Sequence, residues 1–350
     1  MDSTEKIRTG LVLSGGVALG AYQAGVIQGL GAAGRLAFEA VAGASIGAYG
    51  AAVFAGNPPQ ERVGRLLEFW ARATKESLMA GAAPPWPFPN GVRAKSWAHA
   101  LAARMQGVPG LFRPLPRLGS DGGGPGLYDS SIAERTLRDL VDFDRLNAGD
   151  MRCCIGTTDI ETGEAVWFDT AEGARLSPDH VRASGSLIPA FPPLRVDGRL
   201  LVDGGLSANA PLEPLLSATR PVAAPPLVVL IDLFPAAAPA PRSLEASQER
   251  SNDIMYAAQT RVRLAGIVRE RALEARLDPQ APGTDVILLS YQAGPDEAGP
   301  EKAFDFSRAA FDRRFQAGER DARAALALLD RLPAPGATGV RVHVPAADGN

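Results

Sequence analysis

Two stretches near the N-terminus share the same order of apolar and glycine-rich positions. The first begins with a short apolar run, residues 10–14, which ends at Gly15 and Gly16. Apolar side chains then recur at helical spacing over residues 18–30. A short apolar run closed by glycines is typical of a buried strand, and the spacing after it indicates a helix. The pattern therefore predicts a strand, a glycine-rich loop and a helix.

The second stretch repeats this order around a serine. Residues 37–42 are apolar except for Glu39, and residues 48–54 are rich in alanine. Between them, Gly43 and Gly47 flank Ser45 in a Gly-x-Ser-x-Gly motif. Glycine at both positions lets neighbouring backbone pass close to the serine. A sharp strand-to-helix turn would lift the hydroxyl above the sheet edge, at a helix N-terminus that favours negative charge. Two such units in succession predict an α/β fold with parallel strands and a ligand site at their carboxyl ends.

The remaining pattern alternates further strands with helices. Hairpins are predicted within residues 151–168 and around Asp197-Gly198, because turn residues separate two apolar runs at both places. Ser131 and Glu134 form a capping-box signature for a helix. The other predicted elements are helices at 59–79, 131–141, 181–188, 244–277 and 304–326, and buried strands at 227–233 and 285–290.

One of these predicted helices, residues 244–277, is long enough to be one helix or two. It carries apolar residues at helical spacing together with several arginines. The arginines would suit an anionic membrane surface, but the acidic residues interspersed among them favour a solvated outer face. The apolar positions are Ile254, Ala258, Val262, Ala265 and Val268, and the arginines are Arg250, Arg261, Arg263, Arg269 and Arg271.

Residues 82–125 differ from the rest of the chain because they are rich in proline and glycine. They include Trp86, Phe88, Trp97 and Phe112. A segment of this length is expected to be an insertion on the sheet rather than a simple connection. Two interpretations stay open, namely a lid or apolar surface for lipid, and an irregular excursion held by its own aromatic side chains. No repeat or clear linker is seen, so one domain with an insertion is predicted.

Composition and charge exclude several classes of protein. The 350 residues are 46% hydrophobic, enough for a large core, and the net charge of −3 argues against a nucleic-acid partner. The only two cysteines, Cys153 and Cys154, are adjacent and form no disulfide framework. The three histidines lie far apart without metal-ligand spacing, so neither a metal nor a cofactor is expected. The polar N-terminus lacks a secretory signal, and no apolar run would span a bilayer, so we expect a cytoplasmic protein.

The candidate base for Ser45 is a carboxylate. A serine hydroxyl needs an adjacent base to act as a nucleophile at neutral pH. No histidine follows a strand closely, whereas an apolar strand leads into Asp203-Gly204-Gly205. Asp197 also precedes a glycine, but its place between two strand segments makes it an ordinary turn residue. Because desolvation raises the pKa of an aspartate from about 3.9, Asp203 in a closed apolar site would be basic enough to accept the serine proton.

The Gly15-Gly16 loop is the candidate oxyanion hole. Attack on an ester produces an oxyanion that needs preorganised donors, and glycines can turn backbone N–H groups inward without a side chain in the way. The rival interpretation is a dinucleotide site in an oxidoreductase. It is disfavoured because the loop lacks the middle glycine of G-x-G-x-x-G, and because Glu39, the candidate ribose ligand, lies early in its strand.

Taken together, these motifs resemble those of patatin-like phospholipases. The resemblance lies in residues 13–26, 43–47, 182–186 and 191–205, in that order. It implies a three-layer α/β/α fold around a mostly parallel sheet, and hydrolysis of acyl esters of lipids by a Ser–Asp dyad. More loosely, residues 304–307 resemble the tails of bacterial members. The roles that it implies are Ser45 as nucleophile, Asp203 as base, Gly15, Gly16 and Val17 as oxyanion hole, and Gly20, Gly43, Gly47, Gly204 and Gly205 as motif glycines.

The chain departs from the family in the glycine-rich loop. Val17 and Leu19 stand where the family usually has a third glycine and then a basic residue. Without that cation, the contact with a phospholipid phosphate that the family implies does not carry over to this loop, whereas its backbone N–H donors are unaffected by the change. A non-catalytic lipid-binding or scaffolding protein with the same fold is therefore the alternative to an enzyme.

From the resemblance we expect one acyl hydrolase domain over residues 8–345. Within it, residues 82–125 would be the insertion, and residues 236–345 a C-terminal helical extension with edge strands. The expected partners are a lipid or acyl-ester substrate and, from that substrate class, a membrane surface in peripheral contact.

Overall fold

A mostly parallel β-sheet organises the fold in the computed structural model, which describes residues 6–74, 91–115, 126–297, 299–332 and 338–345. Apolar runs and turn residues place the strands much as the sequence predicts. The strands are β1 (Ile7–Leu13), β2 (Leu36–Ala44), β3 (Arg113–Pro114), β4 (Tyr128–Asp129), β5 (Arg152–Asp159), β6 (Ala165–Asp169), β7 (Leu194–Val196), β8 (Arg199–Asp203), β9 (Leu227–Asp232), β10 (Thr284–Ser290) and β11 (Val340–His343).

The order of strands across the sheet is β11-β10-β9-β1-β2-β5-β8-β7, and β6 pairs with β5. The pairs from β11 to β5 are parallel, whereas β6, β7 and β8 join through antiparallel pairs. At the centre, Leu13 at the end of β1 pairs with Gly43 on one side and Ile231 on the other. The carboxyl ends of these central strands therefore meet at one edge of the sheet, and the predicted α/β class is confirmed.

Helices connect the strands and cover the sheet. Short 3-10 helices lie at Val17–Gly20, Thr170–Glu172, Gly204–Leu206 and Gly299–Phe304. The α-helices are α1 (Ala21–Ala32), α2 (Ile46–Ala55), α3 (Arg62–Ala73), α4 (Gly91–Gln106), α5 (Ser131–Leu140), α6 (Phe143–Ala148), α7 (Pro178–Ser184), α8 (Glu213–Leu216), α9 (Leu244–Leu277) and α10 (Arg308–Leu329).

Both faces of the sheet are covered, because successive side chains of a strand point to opposite sides. Leu11 and Leu13 of β1 belong to the larger apolar core, which α1, α2 and α10 complete. Val12 belongs to a second core on the other face, to which α9 contributes Leu264 and Ile267. The three-layer α/β/α arrangement is thus confirmed for the described residues.

The predicted irregular excursion at residues 82–125 contains a helix that the sequence analysis missed. Helix α4 occupies Gly91–Gln106, a stretch without proline and with glycine only at its first residue. Phe112 after it is buried and packs edge-on against Tyr128. The parts of the predicted insertion at 82–90 and 116–125, with Trp86 and Phe88, lie outside the described residues.

Two details of the predicted helices are wrong. The side chain of Leu67 in α3 is exposed, and Phe69 is buried instead. Ser131 caps nothing, because it is the first residue of α5 and its N–H and hydroxyl both donate to the Asp129 carboxylate. The stronger acceptor has replaced the predicted capping box.

Helix α9 is one continuous helix of 34 residues. The apolar positions singled out in the sequence do not form its buried face, since Ile254, Ala258 and Val262 are exposed and Leu264 and Ile267 are buried. Among the described residues, no helix combines the length and apolar character needed to cross a bilayer.

Candidate active site

Ser45 lies in the turn between β2 and α2, with φ 53° and ψ −126°, a conformation that residues other than glycine rarely adopt. A Cβ atom on Gly43 would lie 2.2 Å from the carbonyl oxygen of Gly47. A Cβ atom on Gly47 would lie 2.2 Å from the carbonyl oxygen of Leu13. Only glycine fits either position, so the motif reflects the close packing of β1, β2 and α2 around the serine. The predicted strand, sharp turn and helix are confirmed.

The backbone of Ser45 is held by a second serine. Its N–H donates to Ser184 Oγ at 2.9 Å, and the Ser184 hydroxyl donates to the carbonyl oxygen of Gly156 at 2.5 Å. Ser184 is fully buried at the end of α7. The sequence placed Ser184 in a motif of the resemblance without a role, and the structure shows it supporting the strained turn.

Asp203 ends strand β8, with only 3% of its surface exposed. Its Oδ1 accepts the Gly205 N–H at 2.7 Å, which fixes the carboxylate. A Cβ atom on Gly204 would lie 2.3 Å from the carbonyl oxygen of Gly156, so glycine is required there. The two glycines after the aspartate therefore let the loop fold tightly against β5.

The structure brings Asp203 and Ser45 together. Burial raises the pKa of the Asp203 carboxyl from 3.8 to about 6, while hydrogen bonds from the Ser45 hydroxyl and the Gly205 N–H oppose that rise. At neutral pH this carboxylate is mostly deprotonated, yet it is more basic than an exposed aspartate. It can therefore accept a proton from the hydroxyl beside it.

The glycine-rich loop also reaches Ser45, but not every predicted donor in it is available. A Cβ atom on Gly15 would lie 3.0 Å from the Cβ of Ser45. The Gly15 N–H, however, donates to the carbonyl oxygen of Asn209 at 3.0 Å, so its predicted part as an oxyanion donor is corrected. The N–H groups of Gly16 and Val17 have no acceptor among the described residues, and both residues line the cavity that contains Ser45.

Asn209 is a site residue that the sequence analysis missed. It is buried, and its Nδ2 donates to the carbonyl oxygen of Gly15 at 3.3 Å, so it binds that glycine through both side chain and backbone. Its own N–H donates to Gln259 Oε1 of α9 at 3.1 Å. The only signal in the sequence is a polar residue shortly after Asp203, in a stretch that otherwise reads as a loop.

The two departures in the glycine-rich loop have structural consequences. Val17 has φ 53°, which explains why the family places glycine there. Leu19 is fully buried in the larger core, so the position of the missing cation is an apolar packing position here. A Cβ atom on Gly20 would lie 2.9 Å from Ile46 Cγ1, which holds the loop against α2.

The cavity around Ser45 and Asp203 has two branches of different character. One, of about 170 Å³, has polar and charged walls, and the other, of about 60 Å³, has apolar walls. Val17, Ser45, Leu187, Asp203 and Phe304 line both. The polar branch adds Arg104, Asn209, Glu249, Asn252, Asp253, Tyr256 and Lys302, and the apolar branch adds Ile46, Tyr49, Leu111, Phe112, Ala190, Phe191 and Phe306.

Both cations of the polar branch are engaged in ion pairs. Lys302 Nζ lies 2.7 Å from Glu249 Oε1 and 3.2 Å from Asp253 Oδ1, and it is nearly fully buried. Arg104 Nε lies 2.6 Å from a carboxylate oxygen of Glu301. The cations that line this branch are therefore paired with carboxylates.

The histidines lie elsewhere. His180 Nε2 is 3.1 Å from Asp197 Oδ2, and His343 Nε2 is 2.8 Å from Asp285 Oδ1. Neither they nor His99 line the cavity of Ser45. Within the described ranges, no group of three or more His, Cys, Asp or Glu side chains is arranged to hold a metal ion.

Comparison with known proteins shows a family for this chain. The family model for patatin-like phospholipase matches residues 11–216, more than half of the chain. Patatin-like phospholipase domain-containing protein 7 of Mus musculus is 28% identical over 210 residues, which are 58% of this chain and 12% of that protein. The protein of the same name from Rattus norvegicus matches to the same extent. The chain thus spans about 12% of the length of these curated relatives.

Two solved structures are also similar. VipD from Legionella pneumophila aligns with 89% of this chain and 67% of its own, at 16% identity and a TM-score of 0.38. The ExoU–SpcU complex of Pseudomonas aeruginosa aligns with 89% of this chain and 53% of the matched chain, at 16% identity and a TM-score of 0.31.

Proposed function

Because this chain belongs to the patatin-like phospholipase family, we propose that it hydrolyses acyl esters of lipids with Ser45 and Asp203 as a catalytic dyad. One observation carries the proposal. A serine in a strained turn shares a cavity with a buried carboxyl, and burial raises the pKa of that carboxyl to about 6. Such a pair supplies both a nucleophile and a base of suitable strength without a histidine.

In the first half of the reaction, Asp203 accepts the hydroxyl proton of Ser45 as Oγ attacks the acyl carbonyl carbon. The N–H groups of Gly16 and Val17 hold the oxyanion that forms. The bond to the leaving alcohol then breaks, and protonated Asp203 returns its proton to the alcohol oxygen. The product of this half is an acyl ester on Ser45.

In the second half, water attacks the acyl ester and gives a proton to Asp203. The tetrahedral intermediate collapses to the free fatty acid, and the proton returns from Asp203 to the Ser45 oxygen. The dyad is thereby restored, and each proton that Asp203 accepts is given back within the same half.

The different character of the two branches supports a proposal for the two ends of the substrate. The apolar branch, with Tyr49, Phe112 and Phe306 in its walls, fits the acyl chain, and the polar branch fits the alcohol. Since Lys302 and Arg104 are already paired with carboxylates, the polar branch suits an uncharged alcohol better than a phosphate. A panel of lipids scored for released fatty acid, with Ser45→Ala as the blank, should accordingly favour acylglycerols over anionic phospholipids.

The dyad is tested by substitution. Ser45→Ala and Asp203→Asn should each lower kcat/KM on a short-chain nitrophenyl ester by about 10³-fold or more. A fluorophosphonate probe should label the parent at Ser45. The matched control is Asp197→Asn, which alters the other Asp-Gly step at an exposed turn and should keep activity within about twofold. Full activity in either dyad variant would contradict the proposal.

The pH profile gives a second test. Because Asp203 must be deprotonated to act as a base, kcat/KM should rise about tenfold per pH unit below about 6 and level off above it. A non-catalytic lipid-binding protein, the alternative motivated by Val17 and Leu19, would show neither turnover nor probe labelling while still binding lipid.

A further inference from the structure

Helix α9 presents polar side chains to the protein. Gln259 Nε2 donates to the carbonyl oxygen of Gly205 at 3.2 Å, and Arg263 Nη2 donates to that of Ser207 at 2.7 Å. Glu270 Oε1 accepts the hydroxyl of Ser217 at 2.6 Å. These bonds attach the helix to the loops that follow β8 and α8, so much of its inner face is held by hydrogen bonds.

The opposite, outward face of α9 is largely apolar. At 1.5 Å per residue the helix is about 50 Å long, and large apolar side chains are exposed from one end to the other. Val262 is 70% exposed and Leu277 is 88% exposed. The exposed large side chains of this face are Leu244, Ile254, Met255, Val262, Leu273 and Leu277, and Ala258, Ala265 and Ala272 lie between them.

Charges on α9 are divided between its two sides. At about 100° per residue, the exposed arginines Arg261, Arg269 and Arg276 fall in the same half of the helix surface as the exposed apolar residues. No ion pair joins these three arginines to a carboxylate among the described residues. The five carboxylates of the helix, Glu245, Glu249, Asp253, Glu270 and Glu274, all fall in the other half.

This distribution of arginines and carboxylates indicates which kind of surface can cover the outward face. A second copy of the same face would bring arginines against arginines, with no carboxylate of the face to pair them. A surface that is apolar inside and negative at its rim matches both features at once. A bilayer containing anionic lipid has that character, and helices with an apolar face and flanking arginines lie in the plane of such an interface.

We propose that the outward face of α9 docks on a membrane surface containing anionic lipid. The face lies beyond residues 11–216, so it is not part of the segment that the family model matches. The same helix also reaches the site, because Asn252 and Tyr256 on its other side line the cavity of Ser45. The proposal goes beyond the hydrolysis proposed above, since docking needs neither Ser45 nor turnover.

The test is cosedimentation of the full chain, carrying Ser45→Ala to keep the lipid intact, with vesicles of phosphatidylcholine alone or mixed with phosphatidylglycerol. Binding to the mixed vesicles should be at least tenfold stronger. The triple variant Arg261→Gln, Arg269→Gln and Arg276→Gln should lose about fivefold per arginine, or roughly 100-fold together. The triple lysine variant keeps the charge and should bind within a few-fold of the parent.

The apolar part of the face is tested separately. Met255→Glu and Val262→Glu place a carboxylate on exposed positions of α9, so they should weaken binding to mixed vesicles by tenfold or more without unfolding the chain. The matched control is Leu67→Glu, an exposed leucine on α3, which should change nothing. Circular dichroism confirms that each variant is folded.

Three results would overturn the docking proposal. They are equal binding to neutral and mixed vesicles, undiminished binding of the triple glutamine variant, and a dimer in sedimentation that Val262→Glu dissociates. Hydrolysis is scored independently on a soluble nitrophenyl ester with Ser45 present. Turnover without vesicle binding would refute docking alone, and vesicle binding without turnover would refute only the proposed enzyme.

Discussion

The two walls of the cavity are built on different physical principles. The wall that carries Ser45 is set by backbone contacts so close that Gly43, Gly47 and Gly204 cannot have a side chain. The wall formed by α4, α9 and the 3-10 helix Gly299–Phe304 is held by charged pairs such as Lys302 with Glu249. Backbone contact leaves no room for substitution, whereas paired side chains can be exchanged for other pairs. In the proposed mechanism, the reacting groups therefore belong to the rigid wall, and the contacts to the alcohol belong to the wall whose side chains can be exchanged.

The two walls are joined by Arg314 of α10. Its guanidinium is fully buried, pairs with Glu297 at 2.5 Å, and donates to the carbonyl oxygens of Ala18 at 3.1 Å and Lys302 at 2.8 Å. Burial by itself would raise the pKa of the Glu297 carboxyl, but Arg314 outweighs it and holds that pKa below the ordinary value. A cation from the C-terminal third thus reaches the glycine-rich loop where the family's own basic residue is absent.

The largest expected effect comes from adding a side chain to the wall that carries Ser45, where backbone segments are in close contact. Gly47→Ala places a methyl group 2.2 Å from the carbonyl oxygen of Leu13, and neither segment can move without displacing β1 or α2. We expect a loss of about 5 kcal/mol or more in the free energy of unfolding, measured in denaturant. Gly64→Ala is the control, because nothing lies within 4 Å of a Cβ there and the change should stay within 1 kcal/mol. Parent-like stability of Gly47→Ala would show that this wall is adaptable after all.

The next largest effect tests the contacts by which Arg314 joins the two walls. Arg314→Met leaves Glu297 buried without its partner, which should lower the free energy of unfolding by about 3–4 kcal/mol. Arg308→Met, on the exposed side of the same helix, should cost no more than about 0.5 kcal/mol. Adding Glu297→Gln to Arg314→Met should recover part of the loss, because the unpaired charge is removed. A double variant as unstable as the sum of its single changes would contradict the coupling.

The smallest of the three effects concerns Asp203. Among the described residues its charge is unpaired, and it lies on the wall that carries Ser45, whereas the charges of the other wall are paired. The folded pKa of Asp203, about 6, lies above its ordinary 3.8, so the protein binds that proton more tightly when folded. The contribution of Asp203 to the free energy of unfolding is therefore fully present below about pH 4, and it is lost as the pH rises through 6. Asp203→Asn should raise the free energy of unfolding by about 3 kcal/mol at pH 8, and the gain should vanish near pH 4.

The free energies of unfolding of Asp203→Asn and of the parent are measured in denaturant at pH 4 and pH 8. Asp197→Asn is the exposed control, and it should shift stability by less than 0.5 kcal/mol at either pH. A gain for Asp203→Asn that does not depend on pH would mean that packing, rather than the buried charge, is responsible.

The sequence by itself determined the parts of this protein that depend on local geometry. An apolar run followed by Gly43, Ser45 and Gly47 predicts the turn because few residues other than glycine allow such close backbone contact. The Asp197-Gly198 step likewise predicts its hairpin, since both residues adopt positive φ in the turn. The apolar strand that leads into Asp203 distinguishes this residue from Asp197, which lies in a turn. That distinction needs no knowledge of the rest of the chain.

Only the tertiary structure decided which groups are free to act and which faces are buried. The Gly15 N–H donates to Asn209, a residue 194 positions away. No local pattern could therefore show that, among the described residues, the N–H groups without an acceptor are those of Gly16 and Val17. Which face of α9 is buried likewise depends on hydrogen bonds to distant loops, and apolar residues such as Val262 are left exposed. Periodicity reports that a helix has two faces, but which of them is covered depends on partners that the local sequence does not contain.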